Sequence, residues 1–104
     1  MKRKKIYLSG KITGCSNYME LFAKAEELTK APGVKVINPT RMWGIFQPLF
    51  NRLPYPLQLI LDLCVLACCD TIAFLPNWTR SKGAWVEYQY ANALKLKKRF
   101  LCLE

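Results

Sequence analysis

The chain contains no histidine, so acid–base or nucleophilic chemistry falls to Asp, Glu, Tyr, Cys or Lys. There are only seven acids, and four of them, Glu20, Glu26, Glu27 and Glu104, lie on an ordinary helix surface or at the terminus. The other three are Asp62, Asp70 and Glu87. Glu87 follows a short apolar run, Thr71 to Leu75, that suits a strand buried on both faces of a parallel sheet. Pro76-Asn77 stops that run, Trp78 to Lys82 form a polar loop, and Gly83 opens a helix expected to reach about Lys97. A carboxylate thus sits just past the C-terminal end of a buried strand, at the edge where open α/β sheets bind ligands. The helix dipole there is expected to favour the ionised form and lower the Glu87 pKa. Asp70 immediately precedes the same strand, at the opposite edge, and reads as structural. Asp62 and Glu87 remain as a candidate pair. One ionised carboxylate and one able to donate a proton are what glycosidic cleavage needs. Each has an ordinary reading too: a lone Glu87 is a solvated first-turn acid, and the Gln58/Asp62 face of its helix simply meets water.

Several elements must position these groups. Lys5 to Ser9 (KIYLS) reads as the first strand, followed by GKITG, which is neither G-x-G-x-x-G nor a Walker A sequence. Asn17 caps a predicted helix over Tyr18 to Lys30, with Leu21, Phe22, Ala25 and Leu28 as its apolar stripe, and Pro32-Gly33 ends it. Val34 to Ile37 is the second strand, closed by Asn38-Pro39, so the first three elements form a right-handed β-α-β crossover. Thr40 to Pro56 is a long connection carrying Trp43, Phe46, Phe50, Tyr55 and three prolines. Such a loop serves as a lid, a pocket wall or an oligomer contact, and its residues do not choose between these. Leu57 to Cys69 is a predicted helix, apolar almost all round, with Gln58 and Asp62 as its only polar residues. Arg99 to Leu103 is the final strand. The order predicts one α/β domain over residues 1–104: a doubly wound, flavodoxin-like sheet of four parallel strands ordered 2-1-3-4.

Composition bounds the answer further. An apolar fraction of 52% with three Trp excludes a disordered chain, and 104 residues make one domain with a real core. The opening MKRKK precedes a stretch too short and polar for a signal-peptide core, and the Leu57–Cys69 segment is too short for a membrane span. Five Cys (15, 64, 68, 69 and 102) without C-x-x-C or His give a zinc site little to build from; buried reduced thiols in a cytoplasmic protein are expected. The net charge of +9 invites a nucleic-acid reading. Yet Lys2, Arg3, Lys4 and Lys5 precede the first strand, and Lys95, Lys97, Lys98 and Arg99 precede the last. In a parallel sheet they gather at the edge far from Glu87, as a solvated rim or a separate anionic contact surface. Lys11, Arg41, Arg52, Arg80 and Lys82 are the cations able to reach the crevice.

Taken together, IYLSG…ITG, then INP, then Asp62 eight residues before Asp70, CD-x-I-x-x-LP-x-W and S-x-GA-x-x-E-x-x-x-A resemble the nucleoside 2-deoxyribosyltransferase-like superfamily. The likeness spans nearly the whole chain and is closest to the small bacterial and phage branch related to 2'-deoxynucleoside 5'-monophosphate N-hydrolases. It implies a flavodoxin-like fold, no metal or other cofactor, and cleavage of the bond between base and (deoxy)ribose.

The resemblance also implies roles. Glu87 matches the glutamate that attacks the anomeric carbon, Asp62 the acid that protonates the departing base, and Tyr7 a tyrosine whose hydroxyl orients the carboxylate. Ser9, Gly10, Lys11 and Thr13 match a substrate-binding first loop, and Ser81, Gly83 and Ala84 a second, with Ser81 where the hydrolases contact phosphate. Lys11 departs from the small or Pro residue usual in this branch. Trp43, Trp78, Arg80 and Lys82 are candidates for the pocket wall. The expected ligand is a nucleotide, or else a nucleoside, and a homo-oligomer is expected from the greasy Leu57–Cys69 helix. The rival readings are a non-catalytic nucleotide-binding module and a nucleic-acid accessory protein using the basic rim.

Overall fold

The computed structural model describes residues 4–11, 16–40 and 44–102. Its elements are β1 (Lys4–Ser9), α1 (Tyr18–Thr29), β2 (Val34–Ile37), a 3-10 turn at Gly44–Phe46, α2 (Gln47–Asn51), α3 (Tyr55–Leu66), β3 (Thr71–Phe74), a 3-10 turn at Trp78–Arg80, α4 (Lys82–Ala93) and β4 (Lys97–Phe100). All strand pairs are parallel, in the order β2-β1-β3-β4. This is the flavodoxin-like arrangement expected from the order of apolar segments.

Alternation along the central strands builds two cores. Ile6 and Leu8 of β1 join Ala73 and Leu75 under Phe22 and Ala25 of α1. Tyr7 and, from β3, Ile72 and Phe74 face the other way, against Leu66 of α3 and Ala91 of α4. The α1 stripe differs from expectation by one position. Thr29 takes the inward place, donating its hydroxyl to the Ala25 carbonyl at 2.9 Å, and Leu28 is exposed. Phe22, Ala25 and Thr29, three and four residues apart, share one helix face, and Leu21 packs at its margin.

Helix ends also moved. α3 begins two residues early, because Pro54 can stand at the N-cap and Pro56 in the first turn, where a missing N–H costs nothing. α4 ends at Ala93 rather than near Lys97, in a Schellman turn: Leu96 N–H donates to Ala91 O and Lys95 N–H to Asn92 O. Lys95 takes φ 59°, a place normally held by glycine. The chain therefore turns early, and β4 starts at Lys97 instead of Arg99, with Lys97 N–H donating to Asp70 O.

This shift redistributes the basic residues. Lys98 and Arg99 are part of the edge strand β4, not of a rim before it, and Lys98 Nζ lies 5.6 Å from the Tyr88 ring centre. Lys4, Lys5, Lys95 and Lys97 remain at the N-terminal edge, where Asp70 Oδ2 accepts the Lys5 N–H at 3.0 Å. Lys2 and Arg3 lie outside the described residues. The thiols depart from expectation as well. Cys69 is buried, with its thiol pushed up to about 11 mainly by desolvation, but Cys64, Cys68 and Cys102 are exposed. Among the described residues no helix is long and apolar enough to cross a membrane.

Candidate functional site

A cleft of about 580 Å³ opens beyond the C-terminal ends of β1 and β3. Three stretches wall it. Gly10 and Lys11 come from the turn after β1; Arg80, Ser81, Lys82, Gly83, Ala84 and Glu87 from the loop and first turns of α4; Tyr55, Gln58, Leu59 and Asp62 from one face of α3. The spacing 55, 58, 59, 62 is a single helical stripe.

Gly10 is a glycine because a Cβ there would lie 2.9 Å from the Leu75 Cβ and 3.2 Å from Asn77 Oδ1. The bare backbone lets the β1 turn press against the β3 turn, and Lys11 N–H donates to Asn77 Oδ1 at 3.2 Å. Ser81 caps α4, its Oγ accepting the Ala84 N–H at 3.1 Å. That cap orients the first turn of α4 and so sets where Glu87, one turn further on, meets the sheet.

Glu87 is only 6% exposed. Its Oε1 accepts the Ser9 hydroxyl at 2.8 Å, and the carboxylate also accepts the Tyr7 hydroxyl. Both donors come from β1, at alternate positions that point to the same side of the sheet. The Glu87 pKa is pushed up to about 7. Burial is the largest cause; the hydrogen bonds from Tyr7 and Ser9 pull it down, and the charge of Asp62 pushes it up. The helix dipole was expected to lower this pKa. Desolvation of a nearly enclosed carboxylate outweighs a dipole effect of under about 2 kcal/mol.

Asp62 also titrates high, at about 7, from burial. Its Oδ1 is enclosed and has no hydrogen-bond partner among the described residues. The two acids thus differ in kind: Glu87 is held by two donors, while Asp62 has one oxygen waiting for a partner. Tyr7 is buried, and desolvation together with both carboxylate charges holds its hydroxyl well above the usual tyrosine range. It is a neutral donor to Glu87.

Of the residues singled out from the sequence, the fold gathers Glu87, Asp62, Gly10, Lys11, Ser81, Gly83, Ala84, Arg80 and Lys82 around this one cleft. Tyr7 supports it from beneath through Glu87. Ser9 is buried with its hydroxyl on Glu87 and is not among the residues that line the cleft, so in this structure it holds the carboxylate. Trp78 stands apart from the lining as well. It packs 4.6 Å from the Phe74 ring and stacks on Tyr88 at 5.2 Å, and the cleft wall is completed without it. Thr13 and Trp43 lie outside the described residues. The sequence reading missed Gln58, Leu59 and Tyr55 as lining residues. The signal was present, since Gln58 and Asp62 share a helix face, and extending that face one turn back reaches Tyr55.

The profile of one family, a domain of unknown function (DUF4406), matches residues 4–99. The chain belongs to this family. No curated protein matches it at a significant level. In this DUF4406 chain the matched span includes every strand but the last residue of β4, and every residue that lines the cleft.

Proposed function

We propose that the cleft cleaves the N-glycosidic bond of a (deoxy)nucleoside 5'-monophosphate, or of a nucleoside, through a covalent glycosyl ester on Glu87. The observation that carries this reading is one hollow in which a donor-held carboxylate, Glu87, and a second, unpartnered carboxyl, Asp62, both line the wall. Ionised Glu87 attacks the anomeric carbon as the bond to the base nitrogen breaks. The electron pair of that bond goes to the base, which takes the proton held by Asp62. Water then adds to the anomeric carbon as the ester bond to Glu87 breaks, its proton passing to Asp62, which releases the sugar and restores both the Glu87 carboxylate and the Asp62 acid. A pKa near 7 keeps Asp62 protonated in part at neutral pH, as a donor requires.

Lys11, Arg80 and Lys82 line the cleft around the capped start of α4, which suits the phosphate of a nucleotide. This favours a monophosphate over a free nucleoside, and with it the resemblance to the monophosphate hydrolases over that to the transferases of free nucleosides. We also propose a homo-oligomer, since Leu57 and Ile60 of α3 and Ile45, Phe46 and Leu49 just before it present apolar side chains outward. A base-release screen across ribo- and deoxyribonucleoside monophosphates, read by chromatography, tests the activity. Release that disappears in Glu87→Ala is expected. Tight binding without release would replace the enzyme with a sequestering module.

A further inference from the structure

We propose that Tyr55 is a positioning residue of this cleft, whose phenol spans from α3 to the first turn of α4, rests its hydroxyl over Gly83, and closes the hollow onto the flat face of a nucleobase. The ligand in this inference rests on the nucleotide reading above; the closure rests on geometry alone.

Gly83 is the starting point. It does not have the positive φ that would require a glycine, and glycine in a helix is less favourable than alanine by about 1 kcal/mol. A reason must come from its surroundings. A Cβ at 83 would lie 2.6 Å from the Tyr55 hydroxyl oxygen, closer than real Cβ atoms come to anything. The next nearest atoms, Ser81 Oγ and Tyr55 Cζ, would both be at 3.8 Å, an ordinary contact. The phenol oxygen, at the far end of a side chain able to shift, is thus the one group that a side chain at 83 would have to displace. Across the cleft, Tyr55 stands two turns before Asp62 on the same stripe of α3. The charges of Glu87 and Asp62 both reach its hydroxyl and raise its pKa, after burial.

The root of this side chain is fixed while its ring is accessible. Prolines flank Tyr55 on both sides. The N–H groups of Leu57 and Gln58 both donate to Pro54 O, at 3.0 and 3.1 Å. Gln58 Nε2 donates to the carbonyls of Asn51 and Leu53, at 3.2 and 2.8 Å, tying the turn that delivers Tyr55. The residue as a whole is 53% exposed. A rigid ring with two side-chain torsions on a pinned backbone can swing out to admit a ligand and return to stack on it.

The test is a double-mutant cycle on the full chain with two readouts. The first is the affinity of Glu87→Gln protein, which does not turn over, for the four 2'-deoxynucleoside 5'-monophosphates. The second is ligand-free: carboxyl carbon NMR titration of Asp62, whose titratable neighbours are Glu87, Tyr7 and Tyr55. Gly83→Ala is expected to push the phenol aside, weaken the tightest monophosphate about tenfold, the scale of a lost base–aromatic stack, and lower the Asp62 midpoint as water enters. Adding Tyr55→Phe should restore both, because the ring without its oxygen meets the new methyl at ordinary contact distance. Tyr55→Ala should lose both in either background. A Gly83→Ala protein that matches wild type in both readouts, or whose losses Tyr55→Phe does not reverse, overturns the proposal. If no monophosphate binds but the titration follows this pattern, the closure stands and the nucleotide reading falls.

Discussion

At the scale of single residues, Ser9 is a strand-end hydroxyl that gives its hydrogen bond to a carboxylate. A hydrogen bond to the charged form favours that form, and the Ser9 and Tyr7 hydroxyls both lower the Glu87 pKa against a larger rise from burial. Ser9→Ala should therefore raise the Glu87 pKa above its present value of about 7. The sign is fixed by which state loses its partner: the neutral acid needs no donor, whereas the carboxylate does. Charge-assisted hydrogen bonds are worth about 1.5 kcal/mol or more, so the midpoint should climb by roughly one pH unit. Carbon NMR titration of Glu87 measures this directly, and the acid limb of any base-release profile should move to higher pH with it. An unchanged midpoint would mean that Ser9 only fills space. The motif IYLSG showed a serine beside the candidate site, but could not show where its hydroxyl points. Alternation from Tyr7 to Ser9 was the available clue, since it puts both residues on the face that Glu87 meets.

At the scale of elements, what could be read in advance was what hydrophobic periodicity controls. The four strands, their order and the three longer helices follow from where apolar runs alternate or repeat. The ends did not follow, because they are set by individual turns. Nothing in Leu94-Lys95-Leu96 announces a helix stop, since the left-handed residue there is a lysine where glycine is usual. The stop is imposed by Leu96, whose side chain packs against the core shared by α3, α4 and the sheet. Tertiary burial thus outweighs a local preference. The site was legible in the same measure: Asp62 and Glu87 stood out once histidine was absent, while Tyr55 was hidden in an irregular proline-rich connection. The strained turn carries its own prediction. A non-glycine residue at positive φ costs about 1 kcal/mol, so Lys95→Gly should stabilise the protein by roughly that amount. Urea denaturation would show a higher midpoint at unchanged slope. A lower midpoint would mean that the lysine side chain contributes more than its backbone loses.

For the whole molecule, the cleft is a standing source of instability at neutral and alkaline pH. Asp62 and Glu87 titrate near 7 in the folded chain but near 3.8 and 4.5 when exposed in the unfolded one. Between those limits the folded state holds more protons than the unfolded state, so stability falls as pH rises through this window and levels off above it. The shifts set a ceiling on the order of 3–4 kcal/mol for each group, and the actual loss is smaller because the two acids interact and the cleft is open to water. Unfolding followed from pH 5 to pH 8 should show the protein weakening up to about pH 7 and levelling beyond it, the reverse of an ordinary salt-bridged acid. Asp62→Asn should flatten part of that slope and raise stability at pH 8, because a neutral amide replaces a carboxylate that is charged and largely desolvated at that pH. The same variant should lose base release, having no proton to give the departing base. A protein whose stability is indifferent to pH in this range would place both carboxyl groups in water. A gain in stability at pH 8 paired with a loss of turnover is the outcome expected of a fold that keeps two acids buried for use.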